Sequence, residues 1–160
     1  MGNRVSDRSA LGRRAPSNSL PPMAESDCLF CGIVEGSIPS QTIDSDERTV
    51  AFMDINPATR GHALVVPRTH ARDLMDVTDD DLAATMAAAR RLARRMDEVL
   101  KPAGFNVLNA CRPAAWQSVF HYHLHLIPRY DDDPLELPWV PGSGNPDEIA
   151  AVAEELRIDG

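Results

Sequence analysis

The chain is poor in cysteine, aromatic residues and lysine: it holds three cysteines, 5% aromatic residues and a single lysine, Lys101. An odd set of three cysteines cannot staple a small secreted scaffold, so a disulfide framework is excluded as the basis of the fold. No apolar run approaches the roughly 20 residues that cross a bilayer, so no membrane partner is expected and the protein is expected to be soluble and cytoplasmic. Positive charge is also short. Sixteen Lys and Arg against 24 Asp and Glu give a formal net charge of −8. Such a surface repels phosphate backbones at long range and argues against a nucleic-acid groove binder. A small phosphorylated ligand stays compatible, because histidines and backbone N–H groups in a local pocket override the global field. There is no internal repeat.

What is present is ordinary for a globular domain. Hydrophobic residues make up 43% and charged residues 25% of 160 positions, which suits one domain with one core. Residues 1–23 stand apart, with Arg4, Arg8, Arg13 and Arg14 against Asp7 alone and a Pro21-Pro22 stop. Residues 1–26 are therefore expected to form a disordered or processed tail. The Arg/Ser bias carries only a weak amphipathic pattern for a transit peptide, and Arg13-Arg14 lacks the apolar stretch of a twin-arginine signal. Translation from Met23 is a third reading of this segment.

Regular signals occupy 27–130. Thr49–Asp54 and His62–Pro67 read as short strands around the turn-rich stretch Asn56 to Gly61. Thr78, with Asp81 three residues on, opens a helix in the manner of a capping box. Leu82, Met86, Ala89, Ala93, Met96 and Leu100 then mark one apolar face, Arg90, Arg91, Arg94 and Arg95 a solvated one, and Pro102 with Gly104 a stop. Phe105–Asn109 and Val119–Pro128 read as further strands. An acidic turn at Asp131–Asp133 leads into a C-terminal extension, residues 131–160, with a short helix from Pro146 to Leu156. Strands, one long helix, then strands favour an α+β fold on an antiparallel sheet.

His121, His123 and His125 alternate with Tyr122, Leu124 and Leu126. At a strand's period of two, the imidazoles share one face and the apolar side chains the other. Three buried histidines would each need a partner, and the outer pair of the row lies about 13 Å apart at the backbone, too far to share one ion easily. Histidines at i and i+2 can still share a metal, and nucleophilic catalysis is the alternative reading. A neutral imidazole attacks phosphorus without a base to deprotonate it, and its neighbours hydrogen-bond the phosphate oxygens where charge builds up. Cys28-Leu29-Phe30-Cys31 is ambiguous by itself: a redox pair, half a metal site, or chance.

The run from Gln117 through Arg129 resembles the signature of the histidine triad family of nucleotide hydrolases and transferases. The similarity extends from about Cys28 to Arg129 and takes in Cys28 to Cys31, Ala51 to Ile55 and Gly61 to Pro67, in that order. It implies a histidine triad fold with a five-stranded antiparallel sheet, one long helix and shorter helices, assembled as a homodimer with the long helices near the interface. Its implied reaction is cleavage at the α-phosphate of purine nucleotide conjugates, whether phosphoramidates, dinucleoside polyphosphates or acyl-adenylates. His123 would be the nucleophile, passing through a phosphohistidine. His125, Gln117 and Ser118 would contact the phosphate, and His62 would help to position the triad. Asp54 would accept from ribose hydroxyls, and Phe30, Ile33, Phe52 and Ile55 would line a base pocket unless they are plain core. Bacterial relatives complete a structural zinc site with residues equivalent to His70 and His121, so the resemblance implies zinc on Cys28, Cys31, His70 and His121.

The chain departs from the family pattern in the loop before the triad. Trp116 stands where relatives carry a glycine, and Ala110 where they carry the substrate-binding asparagine, with Asn109 one residue early as its nearest substitute. Glycine permits positive φ and close approach to a phosphate, and tryptophan does so only with strain. Altered substrate preference, or a catalytically weak or inactive nucleotide-binding or adaptor protein, is the competing expectation. Trp116 could also cover the pocket or stack on a base.

Overall fold

The computed structural model describes residues 27–136 and 140–158; the expected tail at 1–26 lies outside the described residues. Five strands form one antiparallel sheet in the order β1-β2-β3-β5-β4, made of β1 (Thr42–Ser45), β2 (Thr49–Met53), β3 (Ala63–Pro67), β4 (Gly104–Leu108) and β5 (Leu124–Arg129). Three helices join them: α1 (Leu29–Glu35), α2 (Asp79–Leu100) and α3 (Pro146–Glu155). The α+β expectation, with one long helix and shorter ones, is met.

Alternation along the inner strands divides the core into two clusters. Ala51, Ala63, Val65, Tyr122, Leu124 and Leu126 pack with Ala88, Ala89, Leu92 and Met96 of α2. Val50, Phe52, Leu64 and Val66 pack on the other face with Cys28, Phe30 and Cys31 around α1. β2, β3 and β5 therefore read as nearly continuous apolar runs, because both of their faces are covered.

α2 begins where the capping pattern places it. The Asp81 N–H donates to Thr78 Oγ1 at 3.2 Å, and the Thr78 hydroxyl donates to Asp81 Oδ2 at 3.0 Å. Aspartate is too short to reach back to the cap's N–H as glutamate does, so it takes the hydroxyl instead. The buried stripe is Asp81, Thr85, Ala88, Ala89, Leu92 and Met96. Met86, expected on the apolar face, is 48% exposed. Leu82, Ala93 and Leu100 of the expected face are partly buried against the core, so the stripe centres on Thr85, Ala88 and Leu92 and leaves Met86 beyond its edge. Arg91, expected to be solvated, also bonds Asp44 and Asp46 beside β1.

Three further differences concern strands and helices. β1 carries only Ile43 among polar residues and lies at the sheet edge, so it has little periodicity to read. α1 is seven residues within the stretch that shows the Cys-x-x-Cys pair. The expected strand Val119–Pro128 is a strand only from Leu124. Its pairing with β3 ends at Val65↔Leu124, and the Tyr122 N–H leaves the ladder for the Ala71 carbonyl at 2.6 Å. His121 and His123 thus precede the strand. The face alternation persists through them, since Tyr122 packs toward α2 while His121 and His123 contact Phe30 on the α1 side.

Candidate active site and metal centre

Gly61 makes the turn that delivers His62 to the site. Its φ is +91°, and a Cβ there would lie 2.5 Å from Leu100 Cδ1, so no other residue fits without strain or displacement. His62, His121 and His123 are buried and His125 is half-buried. Each ring has a partner, and the partners decide where the protons sit.

His123 Nδ1 is 2.6 Å from the His121 carbonyl oxygen. A carbonyl only accepts, so Nδ1–H donates and the lone pair is left on Nε2. Burial lowers the His123 pKa, against the raising effects of that carbonyl and of Asp54, and so favours the neutral ring. His62 is fixed from its other side. The Ala58 N–H donates to His62 Nδ1 at 3.0 Å, so His62 Nε2–H donates to His125 Nδ1 at 2.9 Å. The proton of His125 then lies on Nε2, a free donor beside the His123 ring, whose centroid is 5.0 Å away. Burial, then nearby His123 and His62, pull the His125 pKa to about 4 against Asp54. At neutral pH it is therefore a neutral donor.

The His123 and His125 rings open on a cavity of about 340 Å³. Phe30, Ile33, Phe52 and Ile55 line it, and Ser118, His123, His125 and Asp54 supply its polar wall. Phe30 and Phe52 are core residues as well, 5% and 3% exposed, whereas Ile55 at the rim is 88% exposed. Asp54 Oδ1 accepts from the Asn56 N–H at 2.7 Å, and Oδ2 stands 3.6 Å from His62 Nε2, leaving lone pairs toward the cavity. Ile38, Pro39 and Ser40 also line it. Nothing in the sequence singled them out, because they carry no chemistry and lie in the connection between α1 and β1.

The loop from 109 to 118 is tied to backbone throughout. Asn109 Nδ2 donates to the His123 carbonyl at 2.9 Å, holding the triad segment in place. Gln117 Nε2 donates to the carbonyls of Arg72 (2.6 Å) and Val119 (3.2 Å), and its Oε1 accepts from the Arg112 N–H at 2.7 Å. The Gln117 amide is thus engaged with backbone here, and Ser118 alone of that pair lines the cavity. Arg112 lies 3.8 Å from Asp73. Trp116 takes the left-handed conformation that glycine would favour, with φ 68°, and its side chain is 77% exposed. It does not cover the cavity. A bulky residue there carries strain of about 1–3 kcal/mol.

Among the described residues, two groups of three or more His, Cys or acidic side chains bring ligand atoms within 4.8 Å of one another. Proton placement separates them. In the first, His121 Nε2–H donates to the Pro67 carbonyl at 2.9 Å, which leaves the Nδ1 lone pair facing Cys28 Sγ and Cys31 Sγ, each at 3.5 Å. His70 Nδ1 lies 3.2 Å from Cys31 Sγ. Tetrahedral zinc places sulfur and nitrogen ligands about 3.5 Å apart, so this Cys2His2 set fits zinc as a closed site. In the second, Asp54, His62 and His125, the Ala58 N–H obliges His62 Nε2 to carry a proton, and the 2.9 Å contact is its hydrogen bond. That group is a relay of donors and acceptors rather than a ligand set. Cys28 also caps α1, accepting the Cys31 N–H at 3.4 Å. The pair thus lies at a helix N-terminus, but beside an antiparallel sheet and not in the βαβ setting of a redox motif.

Fold and site together define a small α+β architecture in which one strand and its approach carry three histidines. A family model of the HIT domain matches residues 35–132. The chain is 44% identical over 103 residues to Protein hit of Bacillus subtilis, covering 64% of this chain and 71% of that protein. It is 35% identical over 139 residues to an adenosine 5'-monophosphoramidase of Saccharomyces cerevisiae, covering 86% and 85%. It also resembles a zinc-bound histidine triad family protein from Mycobacterium smegmatis at 40% identity and a TM-score of 0.67, covering 74% of this chain and 86% of that one. The chain belongs to the HIT, or histidine triad, family.

Proposed function

We propose that the chain is a hydrolase or nucleotidyl transferase that cleaves purine nucleotide conjugates at the α-phosphate through a covalent intermediate on His123. The observation that carries this reading is the 2.6 Å bond from His123 Nδ1–H to the His121 carbonyl, which directs a neutral Nε2 lone pair at the cavity. The base lies among Phe30, Ile33, Phe52 and Ile55, and Asp54 accepts from ribose hydroxyls. His123 Nε2 attacks phosphorus while the P–N or P–O bond opposite breaks, its electron pair leaving with the conjugated group, which takes a proton from solvent. As the imidazole gains positive charge, the His121 carbonyl stabilises Nδ1–H. His125 Nε2–H and the Ser118 hydroxyl donate to the phosphoryl oxygens. Water then attacks phosphorus from the vacated side, loses its proton to solvent, and returns the lone pair to His123. The similarity to an adenosine 5'-monophosphoramidase supports the phosphoramidate member of the substrate class.

The same reading places zinc on Cys28, Cys31, His70 and His121. Zinc would cross-link α1, the loop after β3 and the approach to β5, and with four protein ligands it has no open position for chemistry. A homodimer belongs to it too: β4 is an edge strand that exposes Val107 and Leu108, a surface a second copy would cover. One observation favours the competing reading of a weak or inactive nucleotide-binding protein, namely the engagement of the Gln117 amide with backbone. Mass spectrometry of protein quenched during incubation with adenosine 5'-phosphoramidate separates the two. A nucleotidyl adduct on His123 is expected; unmodified protein and unconsumed substrate would favour the binding role.

A further inference from the structure

Trp116 is the one large aromatic of the described residues left almost wholly in solvent, at 77% exposure, and nothing in the fold requires an indole there. Its backbone is held rather than loose. The Trp116 N–H donates to the Pro113 carbonyl at 3.0 Å, and the Gln117 N–H to that of Arg112 at 3.2 Å. The side chain of Gln117 ties the next residue to two more carbonyls and to the Arg112 N–H. A strained conformation at φ 68° is thus fixed by its surroundings, with the indole pre-set outside the cavity.

Where the leaving group must go follows from in-line displacement. The group that departs lies opposite the attacking nitrogen. His123 is 3% exposed and forms the inner wall, whereas Ser118 is exposed at the mouth. The conjugate therefore projects outward past Ser118, and Trp116 stands two residues along the chain, within about 7 Å at the backbone. The adjoining loop, tied to this one through Arg72 and Asp73, exposes Leu74 and Met75 at 40% and 69%.

We propose that Trp116 determines leaving-group specificity by stacking on a planar aromatic group, such as a second nucleobase or an aryl amine, that the nucleotide carries on its phosphate. The inference rests on the hydrolase reading above. Flat π-faces stack on an exposed indole whatever their substituents, and the rigid loop loses little freedom when they do.

The test compares adenosine 5'-phosphoramidates of tryptamine and of ethylamine on the wild type, Trp116→Ala and Trp116→Phe. The kcat/KM ratio of tryptamine to ethylamine compound should fall about tenfold in Trp116→Ala, mostly through KM, and recover in Trp116→Phe. A merely structural role would lower both compounds together, and an unchanged ratio overturns the proposal while leaving the hydrolase reading intact. A wild type inert toward both compounds overturns the hydrolase reading and this inference with it.

Discussion

Removing the His62 ring tests the proton placement on which the chemistry depends. His62 is 5% exposed and makes two hydrogen bonds, from the Ala58 N–H and to His125 Nδ1. Each bond contributes about 1 kcal/mol. The void left by the ring, about 40 Å³ after partial collapse, adds about 1 kcal/mol more at about 24 cal/mol per Å³. His62→Ala should therefore lower the unfolding free energy by about 3 kcal/mol, a Tm drop of about 10 °C for a domain of this size. His62→Leu fills most of the void and loses both bonds, so most of its loss should be the hydrogen-bond part. Urea unfolding measures both variants. Nitrogen-15 spectra of the imidazoles give the second readout: Nε2–H on His62 and His125 and Nδ1–H on His123 in the wild type, with His125 free to exchange tautomers once His62 is gone. A stability loss under about 1 kcal/mol in His62→Ala, or a wild-type His125 protonated on Nδ1, would refute the relay.

Cys28→Ser should lower thermal stability while changing the chemical step much less, and untreated wild-type protein should contain one zinc per chain by elemental analysis; protein free of zinc would end the metal reading. Asp46 supplies a pH test. Burial alone raises its pKa, but the N–H groups of Arg48 and Thr49, the Thr49 hydroxyl and Arg91 outweigh that and hold it at about 2, below its ordinary 3.8. A depressed carboxylate contributes stability that is complete above 3.8 and is lost as pH falls through about 2. Acid unfolding followed from pH 5 to 2 should therefore be shallower in Asp46→Asn, and an unchanged slope would refute the assignment.

The parts of the site legible in the sequence are those set by period and by residue type. Alternating histidines announced a shared face, and α2 showed its start because Thr78 and Asp81 are capping chemistry. Asp54 and His62 were found through family resemblance rather than pattern, and the Cys28-to-Cys31 pair, visible by its spacing, took its zinc reading from the same resemblance. What stayed hidden is backbone. The Ala58 N–H and the carbonyls of His121 and Pro67 decide three tautomers, and backbone groups leave no signature in a residue string. The strand boundary was hidden for a similar reason: Val119 to His123 keep a strand's alternation, yet their hydrogen bonds go to Ala71 and to side chains instead of β3. Edge strand β1 lacked apolar alternation, having no buried residue to display it. Trp116 was legible as an anomaly, but only the fold places its indole outside the cavity.

The central claim is that His123 is a nucleophile made ready by its neighbours. Hydrolysis of adenosine 5'-phosphoramidate at pH 7 by the wild type and by His123→Ala tests it most directly. Loss of the nucleophile should cost on the order of a thousandfold in kcat, with the variant still folded and zinc content unchanged. Turnover by His123→Ala within a few-fold of the wild type would contradict the account.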